Sequence, residues 1–482
     1  MTMPGGIAAA RPGPPPPAGR LQRANSGPEG MSKLDNRFLP LRSKVSGAVQ
    51  ASQEMVNDRP VVVARFDPRR KRGALTPEDG NTLSHAASMA RSELIPLVLV
   101  GSSSGVSVHE GVAALHGWGQ AARAMATCSG IVPILALVTG PAVSGPALML
   151  GLADAVVMTA DACCYISGPD MVSEITGVSV DASTLGGVAA HSRLSGVCAL
   201  EASGEEDGWQ SIAELLSYLP SHAGEEAPRL FSDDPLDRKT PELFELLPRA
   251  PTGSYDVRAL VAAIADPGTI LELRARWAPQ LVTMLARIGG FPVGILANQP
   301  QSLAGTLDIA ASQKGAGFVR FCDAFNLSLL TVVDTPGFMP GKDLEWRGMI
   351  RHGAELAFAY AEATVPRVSL IVRKAYGGAY IVMDSKGLGN DLCLAWPTAE
   401  IAVMGAKGAA QILYRNASAP EREELEHAYE AELLTPWTAA ERGYVDSVID
   451  PEQTRYAIST ALQVLSSKQE KLVQRKHANG PL

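Results

Sequence analysis

The sequence predicts an α/β fold made of two copies of one domain, and three observations carry that reading. Apolar runs of strand length alternate with longer segments of helical spacing, as in sheets layered with helices. One arrangement occurs twice. An apolar run enters a loop of small residues, and roughly forty residues later another enters a glycine turn, a repeat too long for a solenoid unit and right for a duplicated domain. Between the copies lies a proline-rich stretch with neither periodicity.

The first 35 residues are rich in Pro, Gly, Ala and Arg, include the run Pro14–Pro17, and read as a disordered tail. Arg42–Asn57 is expected as a helix leading to a first strand at Pro60–Arg65. Leu97–Val100 then enters Gly101-Ser102-Ser103-Ser104-Gly105, and Ile131–Val138 enters Gly140-Pro141-Ala142-Val143-Ser144-Gly145. Alternation continues to about Ala202. Between Gly204 and Thr252 it fails: an acidic cluster, Glu205-Glu206-Asp207, precedes a helix near Ile212–Tyr218. Pro220, Pro228, Pro235, Pro241, Pro248 and Pro251 follow and read as a linker. The expected domains are therefore residues 36–245 and 246–482. In the second, a helical segment at Tyr255–Ala265 opens the copy. Leu329–Val333 enters Asp334-Thr335-Pro336-Gly337, and Val368–Val372 enters Tyr376-Gly377-Gly378-Ala379-Tyr380. A charged helix over Thr454–Arg475 is expected to close the chain.

Composition narrows the function. With 482 residues, 46% hydrophobic and 19% charged, the chain can bury a sizeable core. A net charge of −8 gives no global basic field, so neither nucleic acid nor an anionic membrane is expected as a partner. The basic cluster of Arg65 with Arg69-Arg70-Lys71-Arg72 is a local exception; it reads as a phosphate grip or as a solvated loop. The six cysteines form no C-x-x-C pair, so no metal site or disulfide framework is expected and a reducing compartment fits. No apolar run approaches the roughly eighteen residues that span a bilayer, and the N-terminus lacks the apolar core of a signal peptide, so a cytoplasmic location is expected.

The turns carry the chemistry. Gly101-Ser102-Ser103-Ser104-Gly105 matches G-x-S-x-G after a strand, with Ser103 as nucleophile and His191 as its base; a flexible turn of small residues is the favoured reading, since serine-rich turns match this pattern easily and the second copy has no serine there. Asp334-Thr335-Pro336-Gly337 resembles a magnesium loop, but the phosphate loop it would need is absent. Tyr376-Gly377-Gly378-Ala379-Tyr380 is the sharper signal, because glycines let backbone N–H groups approach a ligand oxygen.

The second half then spells out a family. Ala297-Asn298-Gln299-Pro300, Leu307-Asp308-Ile309, Phe318-Val319-Arg320 and Cys322-Asp323-Ala324-Phe325 precede Asp334-Thr335-Pro336-Gly337-Phe338. Arg351-His352-Gly353-Ala354, Arg373-Lys374-Ala375-Tyr376-Gly377-Gly378-Ala379-Tyr380, Ala395-Trp396-Pro397-Thr398-Ala399 and Val403-Met404-Gly405-Ala406 follow. The chain resembles the carboxyltransferase (β) subunit of biotin-dependent acyl-CoA carboxylases of the propionyl/acetyl type, over about residues 45–465. The first half matches more loosely, through Glu110-Gly111-Val112-Ala113, Gly168-Pro169-Asp170 and Leu185-Gly186-Gly187.

The resemblance implies two tandem crotonase-like (ClpP/crotonase) ββα-superhelix domains in a hexamer. It also implies an acyl-CoA substrate, biotin on a separate carrier protein, and a partner biotin carboxylase. Ser144 and Gly145 would hold the thioester oxygen as an enolate, and Gly378 and Ala379 the ureido oxygen of biotin. Gly105, Ala142, Val143, Gly168, Tyr380 and Ile381, with Arg65 and Arg69, are expected at the acyl-CoA. Gly337, Phe338, Tyr376 and Gly377 are expected at biotin. The residue after Ala379-Tyr380 is acidic in propionyl-type members and isoleucine in acetyl-accepting ones, so Ile381 points to acetyl or mixed short-chain acceptance. The first half departs from the pattern: Asp-Ser-Gly-Gly-Ala-Arg is replaced by Ser102-Ser103-Ser104-Gly105-Val106-Ser107, and Gly-Gly by Ser144-Gly145. Those departures keep open a degenerate assembly subunit, and a biotin-dependent decarboxylase subunit stays open because the half-reactions are the reverse of each other.

Overall fold

A computed structural model describes residues 47–248, 250 and 253–481, and the backbone of Leu39–Pro40. The tail expected over 1–35, the start of the helix expected at Arg42 and the linker's Pro251 lie outside the described residues.

Eight strands form the first sheet: β1 (Leu39–Pro40), β2 (Val49–Val56), β3 (Arg59–Phe66), β4 (Leu97–Ser103), β5 (Ile134–Val143), β6 (Ala155–Thr159), β7 (Cys163–Tyr165) and β8 (Leu200–Ala202). They run in the order β1-β2-β3-β4-β5-β6-β8, and β7 pairs with the end of β5. The second sheet repeats the plan with β9 (Leu271–Leu273), β10 (Leu281–Ile288), β11 (Phe291–Asn298), β12 (Ser328–Thr335), β13 (Arg367–Tyr376), β14 (Leu392–Ala395), β15 (Glu400–Ala402) and β16 (Ser447–Val448). Its order is β16-β14-β13-β12-β11-β10-β9, with β15 on the end of β13. Each half opens with an antiparallel hairpin, β2·β3 or β10·β11, and continues with parallel strands joined by helices. The expected α/β architecture and its duplication are met.

Apolar sequence runs account for the central strands. All eight residues of β10 and of β11 are buried, as strands covered on both faces require. One apolar interior joins the sheets: Val61, Val63 and Leu135 of the first pack in the same cluster as Leu285, Leu296 and Leu329 of the second. The helix Glu205–Tyr218 fills the gap with Ile212, Leu215 and Leu216.

Three sequence expectations need correction. The segment before the first strand is not a helix at 49–56 but strand β2, paired with β3 through Asn57 and Asp58 at φ 49° and 59°. An Asn-Asp pair tolerates that left-handed turn, which closes a hairpin. The acidic cluster Glu205-Glu206-Asp207 belongs to the first turn of the Glu205–Tyr218 helix, where carboxylates favour the helix N-terminus. The last helix runs only over Thr454–Leu465; beyond it Lys468 folds back to Asp391 at 2.9 Å and to Val365 O at 3.1 Å.

Buried polar groups lock the halves together. Arg287 donates to Pro228 O and Ser217 O, both at 2.7 Å. Within the second half, Lys314, almost fully buried, donates to Trp277 O at 2.8 Å and Arg274 O at 3.0 Å. Burial disfavours its ammonium and lowers its pKa to about 7. A base with a depressed folded pKa contributes stability that is complete above its unfolded pKa of 10.5 and is lost as pH falls towards 7. Between pH 7 and 9, the wild-type chain is expected to gain on the non-titrating Lys314→Met variant by up to about 1.4 kcal/mol per pH unit. Urea unfolding of both proteins at three pH values checks the slope.

Candidate functional site

The two halves can be aligned residue by residue from their hydrogen bonds. In the first, β4 slips against β5 between Gly101 and Ser103, and Ser103 comes opposite Ala142. In the second, β12 slips against β13 between Val333 and Thr335, and Thr335 comes opposite Ala375. Next, Gly105 at φ 112° and Gly337 at φ 141° reverse the chain. Ser103 Oγ accepts from Gly105 N at 3.2 Å, and Thr335 Oγ1 from Gly337 N at 3.4 Å.

A one-rung bridge follows each reversal. Leu75 N donates to Gly105 O at 2.8 Å and Ser107 N to Leu75 O at 2.9 Å. Leu307 N donates to Gly337 O at 3.2 Å and Met339 N to Leu307 O at 2.8 Å. The middle residues, Val106 and Phe338, therefore turn their own N–H groups away from the bridge, and neither amide has a protein acceptor among the described residues.

The second turn of each half completes the pair. Val143 lies opposite Tyr165 and Tyr376 opposite Ala402, so Ser144 corresponds to Gly377, Gly145 to Gly378, and Pro146 to Ala379. Ser144 sits at φ 58°, ψ −119°, and Gly377 at φ 61°. The helices Gly145–Leu150 and Gly377–Val382 start there. Amides in a first helical turn have no acceptor four residues back, which leaves Gly145, Gly378 and Ala379 open among the described residues. The turns adjoin the bridge residues: a Cβ on Gly145 would meet Val106 Cγ2 at 3.0 Å, and one on Gly378 the Phe338 ring at 3.4 Å. Each half thus presents open main-chain donors from two loops side by side, the arrangement that stabilises an oxyanion.

The expected donor pairs are altered by one residue. Ser144 cannot lend its amide freely, because that N–H already donates to Tyr165 O at 2.9 Å. Pro146 has no N–H at all, whereas its counterpart Ala379 does. Gly145 and Val106 are what the first half offers. Trp118 fixes Gly145 by donating Nε1–H to its carbonyl at 2.9 Å.

Behind the two sites the halves differ most. Asp334 and Arg373, both buried, form an ion pair at 3.1 Å. Arg373 also donates to Gly253 O at 2.7 Å, and Lys374 N to Asp334 at 3.1 Å. Burial raises the Asp334 pKa, and the Arg373 charge opposes that rise. In the first half the same register puts Ser102 against Gly140, where an added Cβ would meet Ser102 Cβ at 3.0 Å. An apolar void of about 30 Å³ lined by Leu99, Ala142, Pro146 and Met149 remains there.

Beside Gly377 and Gly378 opens a cleft of about 450 Å³, also lined by Tyr380, Ile381, Val403 and Arg442. Ile381 is exposed. Tyr376 donates its hydroxyl to Glu400, and burial raises its pKa. Gly168 caps the helix Pro169–Thr176. Arg65 is not a free phosphate fork: it pairs with Glu54 at 2.9 Å and stacks on Trp209 at 5.0 Å. Arg69 is well exposed and pairs with Asp67 at 2.9 Å. The hydrolase arrangement is not formed. Ser103 donates to Gly73 O at 2.6 Å, while His191 engages Cys164 O and Ser195 Oγ, both at 2.7 Å. Among the described residues, no group of His, Cys, Asp and Glu could hold a metal, and no helix is long and apolar enough to cross a membrane.

The sequence reading missed the Val106 amide and cited Phe338 only as a biotin contact. The repeated pair of a glycine and an apolar residue, Gly105-Val106 and Gly337-Phe338, was the available signal.

Known proteins share this architecture. The carboxyl transferase domain family matches residues 36–480. The propionyl-CoA carboxylase beta chain of Saccharopolyspora erythraea is 44% identical over 429 residues, which is 85% of this chain and 79% of that one. The methylmalonyl-CoA decarboxylase subunit alpha of Propionigenium modestum is 40% identical over 457 residues, 93% of this chain and 87% of that one. Among solved structures, the transcarboxylase 12S hexamer with methylmalonyl-coenzyme A bound superposes with a TM-score of 0.91 at 37% identity, covering 93% of this chain and 91% of that one.

Proposed function

The chain belongs to the carboxyl transferase domain family, and we propose that it is the carboxyltransferase subunit of a biotin-dependent acyl-CoA carboxylase. The observation that carries this reading is the pair of open main-chain donors present once in each half. Two such pairs suit a reaction that passes a carboxyl group between two oxyanion-forming reactants.

The first half (36–245) takes the acyl-CoA. Gly145 and Val106 hold the thioester oxygen and stabilise the enolate formed when the α-proton leaves. The second half (246–482) takes the ureido group of biotin. Phe338, Gly378 and Ala379 supply donors there without a metal or a charged side chain, and the adjoining cleft has room for the bicyclic ring. Carboxybiotin, borne on its carrier, supplies the activated carboxyl group. The protein's own contribution is orientation and oxyanion stabilisation, with one donor worth about 3 kcal/mol.

A hexamer fits the exposed apolar residues near both turns. Val108 and Val112 flank the first, Ile350 and Val403 the second, and a neighbouring copy would cover them. The decarboxylase direction is the second reading, favoured by the decarboxylase relatives at similar identity.

The test combines the purified chain with a biotinylated carrier, biotin carboxylase and labelled bicarbonate, and follows label into a panel of acyl-CoAs. Label in a short-chain product supports the reading. An intact assembly that transfers to no thioester and releases no CO2 from malonyl- or methylmalonyl-CoA points instead to an assembly role. Ile381 borders the cleft, and Ile381→Asp is expected to move the propionyl-to-acetyl kcat/KM ratio upward about tenfold, as one pocket contact of about 1.4 kcal/mol would.

A further inference from the structure

Ser144 combines features that a purely structural serine would not keep. Its backbone, at φ 58° and ψ −119°, lies in a region that glycine enters freely and a residue with a Cβ does not. The second half places Gly377 at this position and avoids the strain. No partner within the protein compensates: the Ser144 hydroxyl makes no hydrogen bond among the described residues. Its amide is committed to Tyr165 O, so the side chain is the only polar donor the residue has left.

Its location gives that hydroxyl a use. In a strand–turn–helix with the middle residue in this conformation, the side chain projects from the tip of the turn. The next residue is Gly145, whose open amide stands beside Val106. This half is also short of one donor, because Pro146 replaces the N–H that Ala379 keeps in the other. An extra hydroxyl is present where a main-chain donor is missing.

We propose that the Ser144 hydroxyl touches the substrate, donating a hydrogen bond to the thioester oxygen as it becomes an enolate. This rests on the carboxyltransferase reading and adds a residue to that site. Ser144 acts as a donor and not as a nucleophile, because among the described residues no histidine or carboxylate hydrogen-bonds to it to take its proton. The hydroxyl keeps its proton throughout, and no bond to its oxygen forms or breaks.

The experiment compares wild type, Ser144→Ala and Ser144→Gly in the complete assembly with carrier and biotin carboxylase. Steady-state rates are measured with acetyl- and propionyl-CoA, and CO2 release with malonyl- and methylmalonyl-CoA. Both variants are expected to lose about tenfold in kcat, the value of one neutral hydrogen bond, with KM little changed. Ser144→Gly is expected to melt at a higher temperature than wild type, since it relieves the backbone. A variant that is more stable yet slower cannot be explained by a structural role. A glycine variant as fast as wild type overturns the proposal, as does an acyl adduct on Ser144 found by mass spectrometry after incubation with acyl-CoA. A wild-type assembly inert in both directions defeats the carboxyltransferase reading and this proposal with it; an active wild type with unaffected variants defeats this proposal alone.

Discussion

Gly145→Ala lowers the carboxylation rate by about 10²- to 10³-fold, the loss typical of removing one oxyanion donor. Alanine keeps the N–H, and the effect comes from geometry. A methyl group there would stand 2.8 Å from Trp118 Cδ1, closer than real Cβ contacts allow, and 3.0 Å from Val106 Cγ2, tighter than most. Trp118 cannot yield easily, because its Nε1 holds the Gly145 carbonyl. Relief therefore spreads the Val106 and Gly145 segments apart, and an oxyanion would lose its second donor. Gly378→Ala is the control. Its new methyl meets only the Phe338 ring at 3.4 Å, an ordinary contact, and a much smaller loss is expected. Rates of acyl-CoA carboxylation for both variants, with circular dichroism to verify folding, decide the matter. Equal, small losses would show that the first turn does not hold the reacting oxygen.

Arg373→Met destabilises the protein by about 3–5 kcal/mol, as expected when one member of a buried ion pair is removed and the other stays behind. Asp334 would keep its Lys374 amide but lose both guanidinium contacts in an enclosed site. The Gly253 carbonyl would lose its donor as well. Removing both charges should cost less than removing Arg373 alone, so Arg373→Met with Asp334→Leu is expected to recover part of the loss. Denaturant midpoints for the single and double variants provide the measurement. A single variant no weaker than the double would mean that the pair is not isolated from water. The β13 end that carries Arg373 also carries Tyr376, so on the proposed reading the biotin-side activity is expected to fall with it.

Much of this architecture was legible because its causes are local. Apolar runs such as Leu281–Ile288 and Leu329–Val333 announce covered strands, and the repeated glycine turns announce duplication. The hairpin β2·β3 was misread because Val49–Val56 mixes polar and apolar residues, and the Asn57-Asp58 turn that settles it is subtle without a glycine. That the Ser144 amide is already engaged was not legible, for a different reason. Which amide is free depends on the bonds its neighbours make, and the Ser144–Tyr165 bond joins residues that are distant in sequence. The setting of Arg65 was hidden likewise, since Glu54 and Trp209 approach it only through the fold. The Asp334–Arg373 pair could have been suspected from two charged residues embedded in apolar strands.

The continuous interior beneath the two sheets constrains how the reaction is choreographed. Val63, Leu135, Leu285 and Leu329 lie in a single apolar mass, so the two glycine turns ride on one packed block. On the proposed reading, a carrier arm would bring its cargo to each turn by its own reach, or a neighbouring copy would shorten the path by presenting its turn across the contact.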